Sequence, residues 1–135
     1  MKTHRILIAE DEAITAMALK SELTEMGYEV VGITDTAEDV VRAAGELLPD
    51  VVFMDITLKG NLDGITAAVA IRGQTGAPVI FLTAHADEMT IKRSVFAGPF
   101  EYLLKPFSRK ELQVAIDKSL ELHEKEVAAR LHVVV

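Results

Sequence analysis

Short apolar runs and helical patterns alternate from one end of the chain to the other, and this alternation limits the folds open to it. The runs are Ile6–Ala9, Glu29–Thr34, Val51–Met54, Val79–Leu82 and Tyr102–Leu104. The first, third and fourth are nearly continuous in apolar character, as suits strands covered by helices on both faces. Helical periodicity fills the gaps. Over Glu12–Met26 the residues Ala16, Leu19, Leu23 and Met26 share a face, and Gly27 follows as a stop signal. Over Ala37–Leu48 the face is Val40, Val41, Ala44, Leu47 and Leu48, with Thr36 as N-cap and Pro49 as terminator. Asp63 can cap a third helix carrying Ile65, Ala68, Val69 and Ile71. A fourth, about Asp87–Ala97, has a thin face of Ile91 and Val95. Ser108 and Glu111 have the spacing of a capping box for the last helix. Five β–α repeats imply an α/β fold: a doubly wound parallel sheet with right-handed crossovers and helices on both sides.

The last helical pattern outruns the sheet. Leu112, Ala115, Ile116 and Leu120 can pack on it, and Val127 and Leu131 continue a sparse stripe among charged residues. A helix from Ser108 to Leu131 would be roughly 36 Å long. The expected division is a domain over 1–122 and a helical extension over 123–135. That extension is either a frayed tail or a linker or dimer helix leading to an output domain.

At 135 residues, half of them apolar, the chain can bury one core. Twenty-one acidic against fourteen basic residues give a formal charge of −7, which disfavours direct binding to nucleic acid. There is no cysteine, which excludes disulfides and thiolate zinc sites and is consistent with a cytoplasmic protein. No apolar stretch is long enough for a membrane span.

In an open parallel sheet, functional side chains gather at the carboxyl ends of the strands. Here those ends carry Glu10-Asp11, Thr34-Asp35, Asp55, Thr83 and Lys105. Singly, each has an ordinary explanation as a cap, a turn residue, a strand threonine or a surface charge. Together, three carboxylates from two adjacent strands would repel one another or raise each other's pKa unless a cation lies among them. Hard oxygen ligands, few in number, describe a Mg2+ site, and no His or Cys at these strand ends before Thr83 supports zinc or thiol chemistry. The set suits phosphoryl transfer. Asp55 can be the nucleophile, Glu10 and Asp11 can hold the cation, Lys105 can pair with a phosphoryl oxygen, and Thr83 can donate a hydrogen bond to another.

Four segments carry a family resemblance: Ile-Leu-Ile-Ala-Glu-Asp-Glu at 6–12, Val-Val-Phe-Met-Asp at 51–55, Phe-Leu-Thr-Ala at 81–84 and Tyr-Leu-Leu-Lys-Pro-Phe at 102–107. In order and spacing they resemble the receiver domains of response regulators in two-component systems, over about residues 4–122. The resemblance implies a flavodoxin-like (βα)5 fold with strand order 2-1-3-4-5. It implies Asp55 as phosphoacceptor for a sensor histidine kinase or phosphotransfer protein. Mg2+ would be held by Glu10, Asp11, Asp55 and the backbone carbonyl of Thr57. Thr83 and Tyr102 look like a switch pair. The threonine would turn toward the phosphoryl group, the tyrosine ring would fill the space vacated, and the face made by the fourth helix, fifth strand and last helix would change shape for an output domain or downstream partner. A cis peptide before Pro106 is also implied. The chain would be a phosphoacceptor that assists its own phosphorylation and dephosphorylation, not a turnover enzyme.

The chain departs from the family pattern in places. Glu10 replaces the commoner aspartate, the loop after Asp55 lacks the usual proline and has Lys59 in its region, and Gly98-Pro99-Phe100 leads into the fifth strand. Thr57 and His85 flank the site. Two other readings stay open: a non-phosphorylated pseudo-receiver used as an interaction module, and a flavodoxin-like cofactor binder or phosphatase. The latter lacks a glycine-rich phosphate loop and a second aspartate at position 57. Homodimerisation through the last helix or the switch face is undecided.

Overall fold

A computed structural model describes residues 2–56, 58, 63–84 and 101–133, with side chains through 131. The elements are β1 (Arg5–Ala9), α1 (Ala13–Glu25), β2 (Glu29–Thr34), α2 (Ala37–Leu47), β3 (Val51–Asp55), α3 (Gly64–Thr75), β4 (Val79–Thr83), β5 (Glu101–Leu104) and α4 (Arg109–Val133). The strands form one parallel sheet in the order β2-β1-β3-β4-β5. This is the doubly wound, flavodoxin-like arrangement expected. The helix expected over 87–97 lies outside the described residues.

Side-chain alternation along the strands divides the core in two. Leu7, Ala9, Val52, Met54, Val79 and Phe81 face α2 and α3, and Ile6, Ile8, Val51, Phe53, Ile80 and Leu82 face α1 and α4. Every residue of β3 and β4 is buried, as their unbroken apolar runs require, whereas the outer strands β2 and β5 are only partly buried. The layers bring the polar strand ends to one edge.

Local chemistry sets the helix ends. The Thr36 hydroxyl accepts from the Asp39 amide at 3.1 Å, and Asp63 accepts from the Thr66 amide at 2.7 Å. Ser108 and Glu111 form the reciprocal capping box, both bonds 3.1 Å long. Gly27 takes a left-handed φ of 95° after α1.

Two residues assigned to buried helix faces lie outside. Leu48 is the left-handed C-cap of α2, with φ 49°, and is exposed, because the proline that follows disfavours a helical residue before it. Val69 is exposed while Ala67 is buried in its place. The small side chains of Ala67 and Ala68 turn α3 so that it seats closely against the sheet and against α2.

Helix α4 runs unbroken for 25 residues, about 38 Å. Its far part touches the body of the fold. One guanidinium nitrogen of Arg72, near the end of α3, lies 2.9 Å from both carboxylate oxygens of Glu126. Val127 and Leu131 remain exposed. Among the described residues, no helix is long and apolar enough to cross a membrane.

Candidate functional site

The sheet's hydrogen bonding continues past the strand ends and fixes the site residues by their backbones. The Glu10 amide, just beyond β1, donates to the Thr34 carbonyl at 2.9 Å. Asp55 is the last residue of β3, and the next amide, of Ile56, donates to the Leu82 carbonyl at 3.1 Å. The Lys105 amide donates to the Thr83 carbonyl at 2.8 Å, and the Lys105–Pro106 peptide is cis, as the resemblance implied. Each anchor is a backbone bond, so the placement depends on register and little on side-chain packing.

The side chains converge. Lys105 Nζ lies 3.1 Å from Glu10 Oε1 and 3.1 Å from Asp55 Oδ2. Glu10, Asp11 and Asp55 each offer a carboxylate oxygen, all within 4.8 Å of one another. The Glu10 side chain is fully buried, that of Asp55 is 8 % exposed and that of Lys105 21 %. A groove of about 370 Å³ lined by Glu10, Asp11, Met17, Ile33, Thr34 and Asp35 opens beside them.

Burial governs the electrostatics. Glu10 is pushed up to about 7, chiefly because burial penalises its charged form; the adjacent Asp55 carboxylate adds to the rise and Lys105 opposes it. For Lys105 burial pulls downward, but the bonds to Glu10 and Asp55 outweigh it and the net direction is up. Three carboxylates face one ammonium, and Glu10 Oε2 is buried without a hydrogen-bond partner among the described residues. Excess negative charge with an orphaned oxygen fits a hard divalent cation, whose charge would satisfy both.

Thr83 ends β4 and is 6 % exposed. Phe81 precedes it on the same face and pairs in register with Tyr102, the two rings 5.8 Å apart and tilted. Tyr102 thus stands beside Thr83 on one face of the sheet, half-buried. Thr57, Lys59 and His85 lie outside the described residues.

Two site features are not evident from the sequence motifs. One is the double engagement of Lys105, since a strand-end lysine does not announce its rotamer. The other is Gly64, where an added Cβ would stand 2.9 Å from the Asp55 carbonyl oxygen. The Asp-Gly pair at 63–64 was the available signal: a capping residue followed by one without a side chain.

Comparison with known proteins agrees with this geometry. A family model described as the response regulator receiver domain matches residues 6–117. The chain belongs to that family. The receiver is 42% identical over 113 residues to the transcriptional regulatory protein PdtaR of Mycobacterium tuberculosis, across 84% of this chain and 55% of that protein. It therefore spans about half the length of the curated relatives it matches. Among solved structures it is similar to the signal receiver domain of a modulated diguanylate cyclase from Desulfovibrio desulfuricans G20, with TM-score 0.87, 34% identity and coverage of 93% of this chain and 99% of that one. It is also similar to the receiver domain of sensor histidine kinase PA1611 from Pseudomonas aeruginosa PAO1, which has a magnesium ion coordinated in its active site cleft. There the TM-score is 0.79, the identity 32% and the coverage 89% and 99%.

Proposed function

We propose that this receiver is a phosphorylation-dependent switch in which Asp55 accepts a phosphoryl group from a sensor histidine kinase or a phosphotransfer protein. The observation that carries the reading is the position of Lys105 Nζ, 3.1 Å from both Asp55 and Glu10, with Asp11 alongside at the carboxyl edge of the sheet. An Asp55 oxygen attacks phosphorus, the P–N bond to the donor imidazole breaks, and the imidazole nitrogen leaves to take a proton. Lys105 pairs with a phosphoryl oxygen, and the Thr83 hydroxyl donates to another. Glu10, Asp11 and Asp55 would hold Mg2+, with the Thr57 backbone carbonyl as a further ligand. The ion would neutralise charge on the transferred group. The chain's own residues bind and position; they do not turn over a substrate.

The readout follows from the β4–β5 register. When Thr83 turns toward the phosphoryl group, the Tyr102 ring moves into the space it leaves, and the surface around β5 and α4 changes for an output domain or downstream protein. A kinase of this class acts in the cytoplasm, and we place the receiver there. The receiver fold runs to about residue 122, and α4 continues past it, held to α3 through Arg72 and Glu126, as the connection to an output domain.

Incubation with Mg2+ and a small phosphodonor, followed by intact-protein mass measurement, tests the reading. A gain of one phosphoryl group, lost in Asp55→Ala, is expected. No gain in the parent chain would favour the pseudo-receiver, a constitutive interaction module on the same fold.

A further inference from the structure

Helices α3 and α4 lie in opposite layers: Ile65, Ala67, Ala68 and Ile71 pack on one face of the sheet, Leu112, Ala115 and Ile116 on the other. They meet all the same, at the edge away from the acidic site, because α4 outruns the sheet. Arg72 Nη2 lies 2.9 Å from both carboxylate oxygens of Glu126, and Nη1 reaches the Gly76 carbonyl at 3.5 Å. Gly76 is the left-handed C-cap of α3, and a Cβ placed on it would meet His123 Cε1 at 3.8 Å and an Arg130 guanidinium nitrogen at 3.9 Å. The carbonyl end of α3 is the negative pole of its dipole and repels Glu126. The Arg72 guanidinium, in the last turn, is what makes the contact attractive. The other end of α3 is packed as closely, since Gly64 leaves no room for a Cβ beneath the Asp55 and Ile56 carbonyls. At 12 residues, α3 is a strut roughly 18 Å long held between the acceptor strand and the outgoing helix.

We propose that the clasp of Arg72 on Glu126 is a restraining contact: it favours the unphosphorylated state, and occupation of Asp55 loosens it through α3. This rests on the phosphoacceptor reading and adds an output route separate from Thr83 and Tyr102. Gly64 already stands at the limit of contact with strand backbone, so a displacement of the Asp55 strand end pushes α3 with no slack to absorb it. One nitrogen shared equally by two oxygens tolerates little movement. A shift of about 1 Å away from Glu126 takes both 2.9 Å contacts beyond hydrogen-bonding range. Glu126 is then left facing the negative end of α3, and the helix beyond Leu122 comes away from the body. The closed and open clasp are the two states that the acceptor site and the helix both bias. Linkage requires each to act on the other by the same factor, so cutting the clasp favours the occupied state.

The test uses the full chain with Mg2+ and beryllofluoride, which occupies Asp55 as a phosphoryl group would. Hydrogen exchange is read at the amides of residues 123–131, and beryllofluoride affinity is read by fluorine NMR titration. In the parent chain, occupation is expected to speed exchange over 123–131 about fivefold or more and to leave Leu112–Leu120 unchanged. Arg72→Gln and Glu126→Gln are each expected to speed that exchange without beryllofluoride and to make it insensitive to the adduct. Each is also expected to tighten beryllofluoride binding by about the same fivefold, and the double variant to match either single one. A contact that only stabilised the fold would leave the affinity unchanged or weaken it. An affinity that does not rise in the variants therefore overturns the inference, as does parent exchange that the adduct leaves unchanged. Should Arg72→Gln fail to fold, Glu126→Gln, whose residue lies outside both cores, decides alone. If an adduct forms at Asp55 but these arms fail, only the clasp's role is lost; if no adduct forms, the phosphoacceptor reading falls and this inference with it.

Discussion

Gly64 opens α3 directly against the backbone of Asp55: a Cβ placed on it would lie 2.9 Å from the Asp55 carbonyl oxygen and 3.1 Å from that of Ile56. The helix can therefore seat under the acceptor strand only because position 64 lacks a side chain. Alanine is the better helix former by about 1 kcal/mol, but the opposing atoms are backbone in a fully buried strand and cannot swing aside. Overpacking of that kind costs roughly 1–3 kcal/mol and should win. Gly64→Ala is expected to lower the urea midpoint and to slow Asp55 phosphorylation. An unchanged midpoint with unchanged phosphorylation would mean that α3 shifts freely.

The raised pKa of Glu10 gives stability a defined pH dependence. In the unfolded chain Glu10 titrates at 4.5; in the fold it is pushed up to about 7. The native state therefore holds this proton more tightly. The resulting stability is fully present below 4.5 and is lost as pH rises toward 7. A cation favours the charged form and acts in the opposite sense. Without Mg2+, the Glu10 contribution is the difference between the parent chain and Glu10→Gln, and it should decline from pH 5 to pH 8. The rise in melting temperature on adding Mg2+ should grow over the same interval. Thermal scans of both proteins at several pH values check this.

The ion pair between Arg72 and Glu126 ties the far part of α4 to α3. Its side chains are 16 % and 24 % exposed, so solvent screens it only in part. Arg72→Ala or Glu126→Ala should each cost roughly 1–3 kcal/mol in denaturant unfolding, and the double variant little more than either alone. Additive losses would show that the two residues do not act on each other.

The chain has two tyrosines and no tryptophan, so Tyr28→Phe leaves Tyr102 as the sole tyrosine emitter. In that background beryllofluoride should change tyrosine emission, because the ring leaves its half-buried place beside Phe81. Thr83→Ala should remove most of the change while leaving the adduct. An emission change of full size in the Thr83→Ala variant would dissociate the two residues.

The strand order and the site edge were legible because they depend on patterns that survive local variation. The unbroken apolar runs Ile6–Ala9 and Val79–Leu82 suited strands covered on both faces, and the polar residue after each run marked the carboxyl edge. Helix starts were legible where the cap chemistry was explicit, as at Thr36, Asp63 and Ser108. Faces were less so. Leu48 and Val69 fit a helical stripe by spacing, yet a left-handed cap exposes one and the close seating of Ala67 and Ala68 exposes the other. At the site, the charges were readable and their pairing was not. That Lys105 divides itself between Glu10 and Asp55 follows from side-chain length and rotamer, which residue type alone leaves open.

The central claim is that Asp55 itself carries the phosphoryl group. Treating the phosphorylated chain with borohydride reduces an aspartyl phosphate to homoserine, and peptide mass mapping then reports its position. The account predicts homoserine at 55, formed with Mg2+ and absent when the ion is chelated. Homoserine at another aspartate such as Asp11, 5-hydroxynorvaline at a glutamate such as Glu10, or neither after exposure to a competent phosphodonor, would contradict it.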